Sequence, residues 1–235
     1  MKDLMGKALQ DYINGDYTED MLTETNISDP DEFPVAYLLR TYEEMPVTEQ
    51  RALQCCKGKV LDAGSGAGSH ALYLQQQENL EVTALDSSAS CIEIARNRGV
   101  KHAIHGSLYD LPPQRYDTVL LLMNGTGLLG RFDEAAGNLK KIAELLTPNG
   151  QILIDSSDII YMYDEDEDGG KWVPGDRYYG ELDFTVHYRG ESESFPWLYL
   201  DYTRLEEIAT EAGLNCELIT EGEHYDYLAR LTFSE

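Results

Sequence analysis

The chain turns on Val60-Leu61-Asp62-Ala63-Gly64-Ser65-Gly66-Ala67-Gly68-Ser69-His70-Ala71-Leu72. An apolar run feeds into three alternate glycines and then into a helix-like segment, so it reads as a strand, a tight turn and a helix start. Glycines tolerate positive φ and close approach of a ligand to the main chain, and the helix opening at Ser69 points free N–H groups at the gap. Leu80 to Leu85 reads as a second strand, bounded by Asn79 and by Asp86-Ser87-Ser88. Its terminal carboxylate, Asp86, is placed to accept hydrogen bonds from the two hydroxyls of a ribose. The segment is therefore a nucleoside-binding half. The third glycine of G-x-G-x-x-G is absent, Ser69 standing there, which weakens a dinucleotide reading.

The run from Val60 to Gly68 resembles motif I of the class I S-adenosylmethionine-dependent methyltransferases, whose pattern is apolar, apolar, Asp, small, Gly, x, Gly, x, Gly. The resemblance continues through Asp86, Gly106-Ser107-Leu108, Tyr116-Asp117-Thr118-Val119 and Pro148-Asn149-Gly150-Gln151-Ile152. It implies an α/β, Rossmann-like fold: a seven-stranded, mostly parallel sheet with helices on both faces and an antiparallel last strand. It implies S-adenosyl-L-methionine as cofactor. Gly64 and Gly66 would approach its methionine portion, Asp86 would hold the ribose hydroxyls, Ser107 and Leu108 would meet the adenine, and Asn124 would face the methyl donor, with Asp62, Ser65, Gly68 and Ser87 also among the cofactor-binding residues the resemblance implies. Many members carry Asp where Ser107 stands, so backbone alone would make that contact here. N-terminal helices commonly cap the cofactor in this family, which makes Tyr12, Tyr37 and Arg40 candidates for its methionine end.

Working outward, 1–58 reads as an N-terminal helical cap without strand alternation: Ala8, Leu9, Tyr12 and Ile13 share one helical face, Val35, Leu38, Leu39 and Tyr42 another, and Pro46 precedes a third helix. The region 59–155 alternates strands and helices and predicts a parallel sheet with right-handed crossovers. The nearly continuous apolar run from Tyr116 to Met123 is its central strand, covered on both faces. In such sheets the ligand lies at the carboxyl ends of the strands, which gathers Ala63-Gly64, Asp86, Gly106-Ser107, Asn124-Gly125 and Asp155-Ser156 at one crevice. The region 156–202 reads as an inserted β-hairpin lid, with Leu182, Phe184, Val186 and Tyr188 alternating on one arm, Trp197 and Tyr199 on the other, and the turn across Gly190 to Ser194. The region 203–235 returns to the core sheet through a helix with a Thr203-to-Glu206 capping-box pattern and two final strands.

Composition limits the function. At 235 residues with 43 acidic and 18 basic side chains, a formal charge of -25 repels phosphate backbones, so nucleic acid is a poor substrate. The absence of a proline pair after Asn124 points the same way, because amino-directed DNA methyltransferases place one there. The start lacks a leader pattern and the longest aliphatic run, Val119 to Met123, is far too short to span a bilayer, so a cytoplasmic protein with no membrane role is expected. Cys55, Cys56, Cys91 and Cys216 show no C-x-x-C spacing and read as reduced thiols without a metal. Asp155 and Asp158 read as loop caps rather than metal ligands.

A methyl group on a sulfonium is already activated, so no protein nucleophile is required, and none of the usual nucleophile motifs is present. His187, His224 and Tyr161 are the candidates for proton removal from an acceptor. The acidic run Asp164 to Asp168 is either a solvated loop or, with Tyr161, Tyr163, Trp172, Tyr178 and Tyr179, a cation-binding rim. The resemblance implies a methyltransferase acting on a small molecule by in-line displacement. A non-catalytic S-adenosylmethionine- or S-adenosylhomocysteine-binding module, its acceptor site occluded or docked to a protein, stays open. A nicotinamide-dependent reductase is disfavoured by Ser69 and by the lack of a Tyr-x-x-x-Lys pair.

Overall fold

In the computed structural model, which describes residues 2–111, 116–166 and 168–234, the chain begins with α1 (Leu4–Asn14) and a short hairpin, β1 (Leu22–Thr25) and β2 (Ser28–Glu32). Two 3-10 turns, Val35–Leu39 and Tyr42–Glu44, lead to α2 (Val47–Gln54). The core then alternates β3 (Lys59–Ala63), α3 (Ser69–Leu74), β4 (Glu81–Asp86), α4 (Ala89–Arg98), β5 (Ala103–His105), β6 (Tyr116–Leu121), α5 (Ala135–Ala143) and β7 (Leu146–Ser157). A second hairpin, β8 (Glu181–Tyr188) and β9 (Glu191–Leu198), precedes α6 (Tyr202–Glu211), β10 (Leu214–Glu221) and β11 (Asp226–Phe233).

The large sheet has the order β10-β11-β7-β6-β3-β4-β5. β3 to β7 pair in parallel, and β11 runs antiparallel to both β7 and β10. Strand alternation sends side chains to two packed layers. Leu61, Val119, Leu121 and Ile152 join Leu139 and Ile142 of α5 and Leu205 of α6, whereas Val60, Leu120 and Leu153 join Leu53 of α2, Leu74 of α3 and Ala95 of α4. Covering both faces is what a nearly continuous apolar strand such as β6 demands.

A four-stranded antiparallel sheet, β2-β1-β8-β9, sits beside the core. Here the N-terminal segment departs from the helical reading, because residues 22 to 32 form a hairpin that pairs through β1 with the inserted β8. Its strands are short and polar, with no apolar alternation to announce them. Both edges of this sheet carry a proline, Pro30 on β2 and Pro196 on β9, a position where a missing N–H costs no ladder bond and discourages further pairing. The β8–β9 turn is also tighter than the sequence reading, since Tyr188 pairs with Glu191. Arg189 and Gly190 alone make it, at φ 49 and φ 70, the twist that suits a two-residue hairpin. Asp201, whose side chain accepts from Arg204 N, caps α6 in place of Thr203.

The small sheet is fastened to the core at one end. Trp197 packs against Gly127 so closely that a Cβ there would lie 2.1 Å from the indole. The Thr126 hydroxyl donates to Leu198 O, and Arg131 pairs with Glu181 and Asp183 at 2.9 and 3.0 Å.

Candidate active site

The carboxyl ends of β3, β4, β6 and β7 open on one crevice. After β3 the chain turns through Gly64, Gly66 and Gly68, all at positive φ, while Gly64 N and Ser65 N both donate to Leu85 O. The glycines do different things. A Cβ on Gly68 would strike Val100 at 2.6 Å and Ala95 at 3.2 Å, so this glycine lets α3 approach α4, whereas a Cβ on Gly66 would meet nothing within 4 Å and would project into open space.

Asp86, at the end of β4, accepts from Gly66 N and from Ser88 N, each at 2.8 Å. Burial raises its pKa against these two bonds. One carboxylate thus fixes the glycine turn and the start of α4, and Ser88, not Ser87, caps that helix by accepting from Cys91 N. Ser87 is exposed, and its carbonyl lies 3.1 Å from His105 Nε2. Past β5, the Ser107 hydroxyl accepts from Tyr109 N and begins a 3-10 turn that includes Leu108.

Deeper in the crevice four charged side chains form a buried chain. Arg40 donates through one guanidinium nitrogen to both Glu49 oxygens at 2.5 Å and through the other to Tyr37 O at 2.6 Å, while stacking over the Tyr37 ring. Glu49 Oε2 lies 2.6 Å from His70 Nε2, and His70 Nδ1 lies 3.7 Å from Asp62 Oδ1. All four are at most 6% exposed. Burial alone would lower the His70 pKa, but Asp62 and Glu49 outweigh it and hold the ring up at about 9. The same burial would raise Glu49, yet His70 and Arg40 bring it below the usual carboxylate value.

At the end of β6, Met123 and Asn124 take left-handed conformations, φ 65 and φ 58. Asp155 on β7 holds them there by accepting from Met123 N at 3.0 Å and Gly125 N at 2.9 Å. Asn124 Oδ1 in turn accepts from Ser157 Oγ. Full burial pushes Asp155 up to about 7 despite these bonds, with the Glu49 charge adding to the rise. Asp158 accepts from Ile160 N and Tyr179 OH.

The structure brings together Arg40, Asp62, Ser65, Gly64, Gly66, Asp86 and Asn124. Tyr12 instead lies on α1, exposed and in edge contact with Tyr17. His187 bonds Glu24 across the small sheet at 2.8 Å, and strand alternation puts it on the face opposite Phe184. His224 is exposed in the turn before β11, and Tyr161 stacks on Tyr225 at the rim, 5.2 Å between centroids. In the acidic run, Glu165 pairs with Lys171, and Asp166 accepts from Asp168 N and Gly170 N. Glu167 lies outside the described residues. Tyr179 and Tyr178 bond Asp201, and Trp172 is 71% exposed. Glu49 was not singled out from the sequence. Its signal was the i, i+3, i+4 face it shares with Ala52 and Leu53, which marks a buried acid on α2.

The crevice fits an adenosylmethionine-like group on its own evidence: Arg40 Nε, Asp62 Oδ2 and Ser65 Oγ are buried there without a hydrogen-bond partner, and Gly66 leaves the main chain open to a ligand. Among the described residues no group of three or more metal-ligating side chains comes together, and no helix is long and apolar enough to cross a membrane.

Comparison with known proteins agrees with this geometry. Residues 60–150 match the family described as methyltransferase domain. A SAM-dependent methyltransferase from Bacteroides fragilis, solved in complex with S-adenosyl-L-homocysteine, is 41% identical at a TM-score of 0.91, the match covering 100% of this chain and 96% of that one. Two more distant structures share the fold. The CcbJ methyltransferase of Streptomyces caelestis has 20% identity, TM-score 0.59 and coverage of 83% and 95%, and CalS10, an amino pentose methyltransferase from Micromonospora echinaspora, has 16%, 0.59, and 88% and 99%. No curated protein matches the sequence. With the sheet order, the glycine turn and a near full-length 41% identical relative in agreement, the chain belongs to the class I S-adenosylmethionine-dependent methyltransferases.

Proposed function

We propose that this methyltransferase acts on a small-molecule acceptor, held between the carboxyl ends of the parallel strands and the four-stranded sheet. The observation that carries the reading is the placement of Asp86, fixed by Gly66 N and Ser88 N at the end of β4, beside a glycine turn that leaves open space at Gly66. In this reading Asp86, with Ser87 beside it, holds the ribose hydroxyls. Gly64, Ser65, Gly66 and Gly68 frame the methionine portion, Arg40 and Asp62 meet its charged ends, and Ser107 and Leu108 border the adenine.

S-adenosylmethionine, when bound, supplies a methyl group on a sulfonium, so the chain's work is to orient and to exclude water. Asn124 is held rigid for that purpose, its left-handed backbone fixed by Asp155 and its side chain by Ser157. The small sheet supplies apolar cover: Phe184, Phe195 and Trp197 form one aromatic cluster on its inner face. Tyr161, stacked on Tyr225, remains a candidate for proton removal from the acceptor. The carboxylates of Glu165 and Asp166 are engaged within their own loop, which favours a solvated loop over a cation-binding rim. The charge of -25 argues against nucleic acid as acceptor, and a cytoplasmic location is consistent with the composition.

A labelled-methyl assay of the purified protein against pooled small metabolites tests this. Transfer to a low-molecular-weight product is expected. Cofactor uptake without transfer to any pool would favour a non-catalytic binding module.

A further inference from the structure

The chain of charge from Arg40 to Asp62 alternates in sign, and its two ends carry free atoms of opposite kind. Arg40 offers an unpartnered N–H donor at Nε and Asp62 an unpartnered acceptor at Oδ2, both buried. A ligand that presents an anion to one end and a cation to the other is an α-amino-acid zwitterion. Glu49 and His70 have no free valence toward the crevice on their bonded faces, because Glu49 is taken up by Arg40 and His70. They also come from different elements, Glu49 from α2 of the N-terminal segment and His70 from the first turn of α3 directly after the glycines.

Resting on the cofactor assignment above, we propose that Glu49 and His70 are positioning residues: they hold the Arg40 guanidinium and the Asp62 carboxylate as a matched pair for the amino-acid head of the cofactor, without touching it themselves. Without a cation between them, Asp62 and Glu49 would be two buried anions facing one another, and without Glu49 the Arg40 guanidinium would lose its bidentate anchor. His70 in its charged form serves this role through the neutral range. The groups that face it or act on it are Asp62 from β3, Glu49 from α2, Arg40 beyond Glu49, and Asp155 from β7.

Two ligands separate positioning from general support. S-adenosyl-L-homocysteine carries the amino-acid head, and 5′-deoxy-5′-methylthioadenosine is the same nucleoside thioether without it. By calorimetry, His70→Gln is expected to weaken S-adenosyl-L-homocysteine roughly 10- to 100-fold while leaving methylthioadenosine within about threefold of wild type. Glu49→Gln, which keeps shape and removes one charge, should show the same one-sided loss and serves where His70→Gln fails to fold. In the ligand-free wild type, nitrogen chemical shifts of the His70 ring should report an imidazolium at pH 7.5. Equal losses for both ligands, no loss for either, or a neutral His70 ring would overturn the positioning role. A wild type that binds methylthioadenosine as tightly as S-adenosyl-L-homocysteine would overturn it while leaving the nucleoside site intact; a wild type that takes up neither would overturn the cofactor placement as well.

Discussion

Replacing Asp86 with alanine tests the placement of the ribose. In the structure its two oxygens each accept one backbone N–H, from Gly66 and Ser88, and each oxygen keeps a further lone pair for a ribose hydroxyl. Losing two hydrogen bonds to a charged acceptor costs about 2 to 4 kcal/mol after water takes up part of the loss, roughly 30- to 900-fold in Kd. Calorimetric titration with S-adenosyl-L-homocysteine reads this directly, and thermal unfolding of the ligand-free variant separates it from damage to the glycine turn. Asp86→Asn should fall between, because it keeps one acceptor oxygen but turns an NH2 toward the second backbone donor. A folded Asp86→Ala protein whose Kd moves less than about fivefold would remove Asp86 from the ribose site, since neither hydrogen bond could then be present.

Three other outcomes are expected. Asp155 is raised from 3.8 to about 7, so the folded chain keeps a proton that the unfolded chain has lost. Its contribution is therefore full below pH 4 and is lost as pH rises to 7. Between pH 5 and 7.5, wild type should lose about 2 kcal/mol more stability than Asp155→Asn, and parallel urea midpoints at the two pH values would dismiss Asp155 as the titrating group. Gly68→Ala, pressed against Val100 and Ala95 at φ 80, should cost about 1 to 3 kcal/mol of unfolding free energy, whereas Gly66→Ala should damage cofactor binding more than stability, read by denaturant unfolding beside calorimetry. Trp197→Ala removes the packing on Gly127 and should lower stability by about 3 kcal/mol; a thermal midpoint within 1 °C or so of wild type would deny that this contact fastens the small sheet.

The legible and illegible parts of this chain differ for physical reasons. β3, β4, β6 and β7 announced themselves because strands covered on both faces must be apolar throughout, and the glycine turn because positive φ restricts the residue type. Asp86 was legible from its position at the end of a strand. The hairpin of β1 and β2 was not, because Leu22-Thr-Glu-Thr and Ser28-Asp-Pro-Asp-Glu have no buried face of their own to impose a period of two. Nor was the pairing of Glu49 with Arg40 and His70, since it is made across three separate elements and only tertiary packing brings them within reach. Asp155 lay between these cases: its capping role was read from its loop position, but the burial that raises its pKa, with a smaller push from the Glu49 charge, comes only from tertiary packing.

The union of β1 with β8 bears on how the molecule assembles. Glu24 and His187, bonded across that sheet, are 163 residues apart in the chain. The first hairpin leaves the ribosome long before its partner exists, and because a two-stranded ribbon is at best marginal by itself it stays frayed until the whole parallel layer has been synthesised. The nucleotide-holding half can thus form early from near neighbours, while the enclosure over it waits for a strand that is made only after the whole parallel layer.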